Sequence, residues 1–179
     1  MDRSELDDHL DRVGVGGRER REIVIAAYDP AWPARFEAER DRVARALGDH
    51  ALTIEHIGST SVPGLGAKPI IDVLVAVADP DDEAAFREPL ERAGYELRVR
   101  ETGHRMFRTP AKDVHVHVWA DGDPEVDRHL AFRDRLRGSS ADRAAYERLK
   151  RELAGRRWDD MNEYADAKGP FIEEVLRDV

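Results

Sequence analysis

The chain contains no cysteine, so it can build neither a disulfide framework nor a thiolate metal site. It also lacks any apolar run near the roughly 20 residues that a membrane-spanning helix needs. Its first residues, MDRSELDDHLDRV, are acidic and hold no apolar stretch of the kind a secretory signal requires. These absences predict a soluble, cytoplasmic protein with no membrane partner. A formal net charge of −9 removes the broad basic face that binds a nucleic-acid backbone, yet leaves room for a local basic pocket around a phosphorylated small molecule. Lysine is scarce: Lys68, Lys112, Lys150 and Lys168 are the only ones, and arginine serves everywhere else. Each lysine therefore stands out. No repeat, low-complexity tract or Pro/Gly/Ser-rich linker divides the chain. At 179 residues the expectation is a polar N-terminal arm or short helix over 1–22, followed by a single domain over 23–179.

What is present is charge laid over short apolar segments. Charged residues make up 37% and apolar residues 41%, the balance of a folded chain with a heavily ionised surface. Ile23–Ala27 reads as a brief strand. Asp29-Pro30 gives a helix start, and Phe36, Val43, Ala44 and Leu47 keep helical spacing through Trp32–Leu47. Thr53–Ile57 is a short strand that feeds Gly58. Ile70–Val77 is the strongest strand, with seven apolar residues of eight, and suits a central position covered on both faces. Pro80–Ala93 reads as a helix stopped by Gly94. Strands are expected at Glu96–Arg100, Arg105–Thr109 and Val114–Trp119, the first two joined by a Gly103 turn. Helical patterns fill the last third: Pro124–Arg137, Ser140–Ala154 and Asp159–Leu176. Mixed strands and helices followed by helices alone indicate an α+β domain, with helices packed on a small sheet.

Chemistry concentrates between Gly58 and Asp72. An ionised carboxylate inside an apolar strand is costly unless a cation or several donors compensate it, and Asp72 is the third residue of such a strand. Upstream, Gly58-Ser59-Thr60-Ser61 offers small residues, exposed N–H groups and three hydroxyls, a combination that can hold phosphate oxygens. Thr60 and Ser61 can equally cap the loop. Lys68, just before the strand, can add positive charge. The strand Val114–Trp119 alternates strictly, so His115, His117 and Trp119 share one face and Val114, Val116 and Val118 the other. Two histidines at i and i+2 can converge on one ion, and imidazole favours a transition metal over Mg²⁺. Asp72, His115 and His117 are thus the candidate ligands of a divalent metal, Mg²⁺ or a transition metal, with His56 nearby. In the helical third, Arg133 and Arg137 share a helix face, as do Tyr146 and Lys150. With Lys168 they can line a cleft that holds a phosphate or a nucleobase. The plain alternative for each is a solvated helix face.

The segment IEHIGSTSVPGLGAKPIIDVLVAV, residues 54–77, resembles the signature of the GrpB family. HVHVW at 115–119, HLAFRDRLR at 129–137, the Tyr146–Lys150 pair and AKGPFIEEVL at 167–176 agree with it. The resemblance covers about residues 24–177 and implies a nucleotidyltransferase-like fold, a small mixed β-sheet flanked by helices with the active-site cleft at the Gly-Ser loop. A similar module occurs fused to dephospho-CoA kinase in some bacteria. The wider superfamily pairs Gly-Ser with an Asp-x-Asp or Glu-x-Glu strand and a third carboxylate on a later strand. By that template Gly58 and Ser59 would hold a triphosphate, and Asp72 would be the first metal carboxylate and, with Ser59, a catalytic residue. The second carboxylate position is Leu74, and the third falls in the strand of His115 and His117.

That departure leaves three readings open. One is a metal-dependent transferase of a nucleotidyl or phosphoryl group to a small acceptor. In it Gly58, Ser59, Thr60, Ser61, Lys68, Arg133, Tyr146, Lys150 and Lys168 bind the nucleotide or phosphorylated substrate. The second is a catalytically degenerate module that binds a nucleotide or CoA precursor, and the third is phosphate-ester hydrolysis by the Asp/His cluster.

Overall fold

The computed structural model describes residues 3–15, 22–158 and 161–177. Five strands form one mixed sheet: β1 (Thr53–Ile57), β2 (Ile71–Val77), β3 (Glu96–Glu101), β4 (His104–Arg108) and β5 (Val114–Ala120). Their spatial order is β1-β2-β5-β4-β3. Only β2 and β5 run parallel; the other three pairings are antiparallel. The helices are α1 (Arg3–Val13), α2 (Trp32–Leu47), α3 (Arg87–Arg92), α4 (Pro124–Gly138), α5 (Ser140–Ala154), α6 (Met161–Asp166) and α7 (Gly169–Leu176). Among the described residues, no helix is long and apolar enough to cross a membrane. This is the α+β, nucleotidyltransferase-like arrangement expected from the sequence.

The two-residue period of the central strands divides the sheet into a dry face and a working face. Ile71, Val73, Val75 and Val77 of β2, with Val114, Val116 and Val118 of β5, pack against Trp32, Phe36, Val43 and Leu47 of α2 and Leu90 of α3. Burying these side chains contributes roughly 1.5–3 kcal/mol each, which makes this layer the main source of stability. The opposite face of the same strands carries Asp72, Leu74, His115, His117 and Trp119, and α4 covers part of it through Val126 and Leu130. The alternation expected for Val114–Trp119 is therefore present.

Helix starts follow local chemistry. Asp123 caps α4 by accepting the Glu125 N–H at 2.9 Å, with Pro124 in the first turn, and Ser139 caps α5 through the Asp142 N–H at 3.2 Å. Three expected elements differ. Ile23–Ala27 forms no strand; Ala26 makes a lone bridge to Ala67, in the loop before β2, so it has no ladder to extend. The helix expected over Pro80–Ala93 shortens to α3, preceded by a 3₁₀ turn at Glu83–Ala85. Pro89 has no N–H and is tolerated only in a first turn, which forces the start to Arg87. The long final helix divides into α6 and α7, because Pro170 restarts the helix at the first turn of α7. Its expected start at Asp159 lies outside the described residues, as do positions 1–2 and 16–21 of the N-terminal arm and 178–179 at the end. The arm itself contains α1, and Gly14 bridges to Val99 on the edge strand β3.

Candidate metal and phosphate site

Parallel pairing of β2 with β5 sets Asp72 beside His115 and Leu74 beside His117. Asp72 Oδ1 lies 3.3 Å from His115 Nδ1 and 3.6 Å from His117 Nε2. One ligand atom from each residue falls within 4.8 Å of the others. A divalent ion with bonds of about 2.0–2.2 Å and tetrahedral angles spaces its ligands about 3.4 Å apart, which the two spacings between Asp72 and the imidazoles match. One carboxylate with two imidazoles suits a transition metal better than Mg²⁺. Burial works to raise the Asp72 carboxyl, but the His115 and His117 imidazoles facing it outweigh that and hold the group well below the usual carboxylate range. Asp72 is thus fully ionised. Asp113 takes no part in this cluster, since it is paired with Arg35 at 3.0 Å and Thr109 at 2.7 Å.

Leu74 shares the face of Asp72 but is fully buried among Ile57, Trp119 and Val126. The second carboxylate position of the superfamily template is therefore filled by dry packing. Glu55, opposite Leu74 in the β1 register, is held by Arg133 at 2.7 Å.

The turn after β1 is built against Asp72. Gly58 has φ 69° and ψ −177°, a conformation that essentially only glycine adopts. A Cβ there would come 2.3 Å from Asp72 Oδ2, so glycine is required for space as well. Ser59–Ser61 then form a 3₁₀ turn. Two of the three hydroxyls are committed inside it. Ser61 Oγ donates to the Gly58 carbonyl at 2.5 Å, and Thr60 Oγ1 donates to the Ile70 carbonyl at 2.9 Å. With its proton so used, Thr60 accepts from His56 Nε2 at 3.0 Å, which fixes the His56 tautomer. His56 stacks on Phe36 and is pushed down to about 4, chiefly by burial. Ser59 differs: it is partly exposed, and its Oγ accepts from Lys150 Nζ at 2.9 Å. Two arginines of α4 hold the backbone around the turn, Arg133 at the His56 carbonyl (3.1 Å) and Arg137 at the Ser61 carbonyl (2.8 and 3.0 Å).

Three of the four lysines gather beside this turn. Lys150 is only 2% exposed and donates to Ser59 and to the Gly66 carbonyl. Its Nζ sits 4.9 Å from the Tyr146 ring centroid; those of Lys68 and Lys168 lie 4.9 and 4.8 Å from the Tyr164 ring centroid. Burial pushes Lys150 down to about 7, helped by the charge of Lys168 and, less, of Arg151 and Lys68, while Glu147 opposes. Burial also lowers Lys168, against the attraction of Asp72. Such a cluster of desolvated ammonium groups gains most from a bound anion. The buried Tyr164 hydroxyl, in the same cluster, has no hydrogen-bond partner among the described residues. Tyr146 is buried between Phe132 and Phe171, so its ring supports Lys150 and shapes the site wall.

Sequence reasoning missed His104 and His129. His104 stacks on Trp119 at 4.5 Å, and His129 of α4 lies 5.0 Å from the same ring. Burial pushes them to about 3 and about 4, respectively. The signal for His104 was the hairpin register, which sets it opposite Trp119; placing the strand start at Arg105 concealed it.

The mixed five-stranded sheet with its flanking helices is a nucleotidyltransferase-like α+β fold. The GLD-2/RNP-8 complex shares that fold with a TM-score of 0.53 at 14% identity, over 86% of this chain and 48% of that one. The family description "GrpB protein" matches residues 22–178, and the chain belongs to the GrpB family. The crystal structure of GrpB from Enterococcus faecalis superimposes with a TM-score of 0.76 at 38% identity, covering 87% of this chain and 96% of that one. A UPF0157 protein of Streptomyces coelicolor is 52% identical over 158 residues, 88% of this chain and 84% of that protein. A dephospho-CoA kinase of Mycolicibacterium paratuberculosis is 28% identical across 88% of this chain, which spans only 46% of the kinase.

Proposed function

We propose that the chain binds the phosphate groups of a nucleotide against one divalent transition-metal ion and transfers a nucleotidyl or phosphoryl group to a small acceptor. The observation that carries this reading is the convergence of Asp72, His115 and His117 with the Gly58–Ser59 turn and three lysines. Asp72, His115 and His117 would hold the ion, which when bound supplies Lewis-acid stabilisation of charge on phosphate oxygens. Ser59 and the N–H groups of the turn bind a non-reacting phosphate, while Thr60 and Ser61 keep the turn in shape. Lys150 and Lys168 neutralise charge, and Lys68 extends the basic wall. Arg133 positions the turn through the His56 carbonyl. Positioning and electrostatics are the main requirements of phosphoryl transfer, and these residues supply both.

A second reading has its own support. Leu74 leaves the strand with one carboxylate where two-metal transfer uses two, which favours a module that binds without turnover. The likeness to part of a dephospho-CoA kinase puts a CoA precursor among its candidate ligands. Melting curves across Mn²⁺, Zn²⁺ and Mg²⁺, with nucleoside triphosphates or dephospho-CoA, test both, because a native-state ligand raises the melting temperature. The transferase reading expects metal-dependent stabilisation by a triphosphate, with pyrophosphate (nucleotidyl transfer) or a nucleoside diphosphate (phosphoryl transfer) released when acceptors are added and Asp72→Asn inactive. Stabilisation with no product across the acceptor panel selects the binding module. A flat melting temperature throughout rejects both.

A further inference from the structure

Behind the proposed metal ligands runs a row of groups with no role in phosphate binding. His104 opens β4, and its Nε2 is 3.3 Å from His117 Nδ1. Its other nitrogen, Nδ1, lies 3.7 Å from Glu101 Oε2 across the Gly103 turn. The two imidazoles are inclined by only 7° with centroids 5.5 Å apart. That centroid separation exceeds the N···N distance by about two ring radii, so the rings meet edge to edge in nearly one plane, the geometry of an N–H···N hydrogen bond. Trp119 lies nearly parallel to both, 4.5 Å from His104 and 5.3 Å from His117. The indole keeps the pair in that plane.

The direction of this hydrogen bond decides what His117 can do. Asp72 Oδ1, 3.6 Å from His117 Nε2, is a good acceptor. With Asp72 as its only partner, His117 would carry its proton on Nε2 and have no lone pair there for an ion. Glu101 changes the balance, because an ionised carboxylate can only accept. Its Oε2, 3.7 Å from His104 Nδ1, is beyond hydrogen-bond length, but its negative charge draws the His104 proton to Nδ1 and leaves a lone pair on Nε2. That lone pair accepts Nδ1–H from His117, which frees His117 Nε2 toward Asp72.

We infer that Glu101 and His104 form a positioning pair for the metal site, holding the His117 proton on Nδ1 so that Nε2 is presented as a ligand. The inference rests on the metal reading proposed above. Outer partners of this kind fix the tautomer and orientation of a ligating histidine, and their loss typically weakens metal binding on the order of 10–100-fold. Glu101 is in turn 3.2 Å from His9 Nε2 on α1, so the row reaches the N-terminal helix.

Three variants test the pair. His104→Phe keeps a ring on Trp119 but removes both nitrogens; His104→Gln offers an amide oxygen as a replacement acceptor; Glu101→Gln weakens the outer end. Nitrogen-15 spectra of the metal-free protein at about pH 8, above the ordinary imidazole range, report which His117 nitrogen carries the proton. The wild type should show it on Nδ1, His104→Phe should move it toward Nε2, and His104→Gln should restore Nδ1. Competition titration with Zn²⁺ and Mn²⁺ should show a 10–100-fold loss in His104→Phe, recovered in part by His104→Gln, with a smaller loss in Glu101→Gln. An unchanged His117 pattern in His104→Phe overturns the inference. Should that variant fail to fold, an unchanged pattern and affinity in Glu101→Gln would overturn it equally. If the wild type takes up neither ion while its His117 proton still follows His104, the metal reading falls and the tautomer control stands.

Discussion

Asp72, His115 and His117 stand on two adjacent strands, whereas Lys68, Lys150 and Lys168 arrive from a loop, a helix and an interhelical turn. The first group takes its spacing from a hydrogen-bonded ladder, and its donor distances follow from register alone. The second is held by packing: Tyr146 and Tyr164 support the ammonium groups, and α5 must sit correctly on the Gly66 loop. Strand-built chemistry is therefore fixed before any ligand arrives. The helix-built half stores unfavourable desolvation of cations, so its protonation should respond to an anion.

The largest effect should come from making the strand half resemble a two-metal site. Leu74→Asp places a charge in dry packing and should cost on the order of 4 kcal/mol in urea unfolding without metal, part of it recovered by a divalent ion. An unchanged midpoint would contradict the packing around Leu74. Gly58→Ala strikes the junction between the halves. Backbone strain alone should cost about 1–3 kcal/mol, and the contact with Asp72 should also weaken metal binding, read by the same unfolding curves and by titration. Two further variants should separate the halves. Asp72→Asn should lower metal affinity more than 100-fold, an order-of-magnitude expectation for a first ligand, with inorganic phosphate binding retained. Lys150→Met should lower nucleotide affinity about 10–100-fold through loss of charge-assisted bonds, with metal affinity unchanged. If both variants lose both ligands, the two halves are one unit.

The smallest effect concerns pH. Lys150 titrates at about 7 in the folded chain against an ordinary 10.5. Between those values the unfolded chain binds more protons, so stability should rise as pH climbs from about 7 to 10.5 and the cost of the buried cation should be complete below about 7. Lys150→Met should flatten that rise in denaturation curves. A phosphate beside Lys150 favours its charged form, so nucleotide binding near pH 8 should take up protons, seen by calorimetry in buffers of different ionisation heat.

The strand half was largely legible because a period of two is local. Strict alternation over Val114–Trp119 separated the histidines from the valines, and an aspartate in the run Ile70–Val77 was conspicuous on desolvation grounds. The gap at Leu74 was visible too. Less of the helical half could be read. A spacing of four places Tyr146 and Lys150 on one face, but nothing local says that the face meets Ser59, 91 residues away. The hydroxyl roles in the turn were also hidden, since Thr60 answers to Ile70 and His56 through tertiary geometry. Helix lengths failed where proline acted from inside the pattern, at Pro89 and Pro170. His104 was missed by one residue of strand boundary, the least certain quantity in any such reading.

The bracket formed by Arg133 and Arg137 has a consequence for local opening. Their guanidinium groups hold the carbonyls of His56 and Ser61, one on each side of Gly58. The turn therefore cannot swing away from the sheet without also breaking free of α4, so turn and helix belong to one cooperative opening unit. Because guanidinium keeps its charge at every pH a cell reaches, that unit does not loosen with acidity. Hydrogen exchange at the turn should then follow the stability of α4, and the backbone N–H groups proposed to bind phosphate should stay in place while the lysines beside them change protonation.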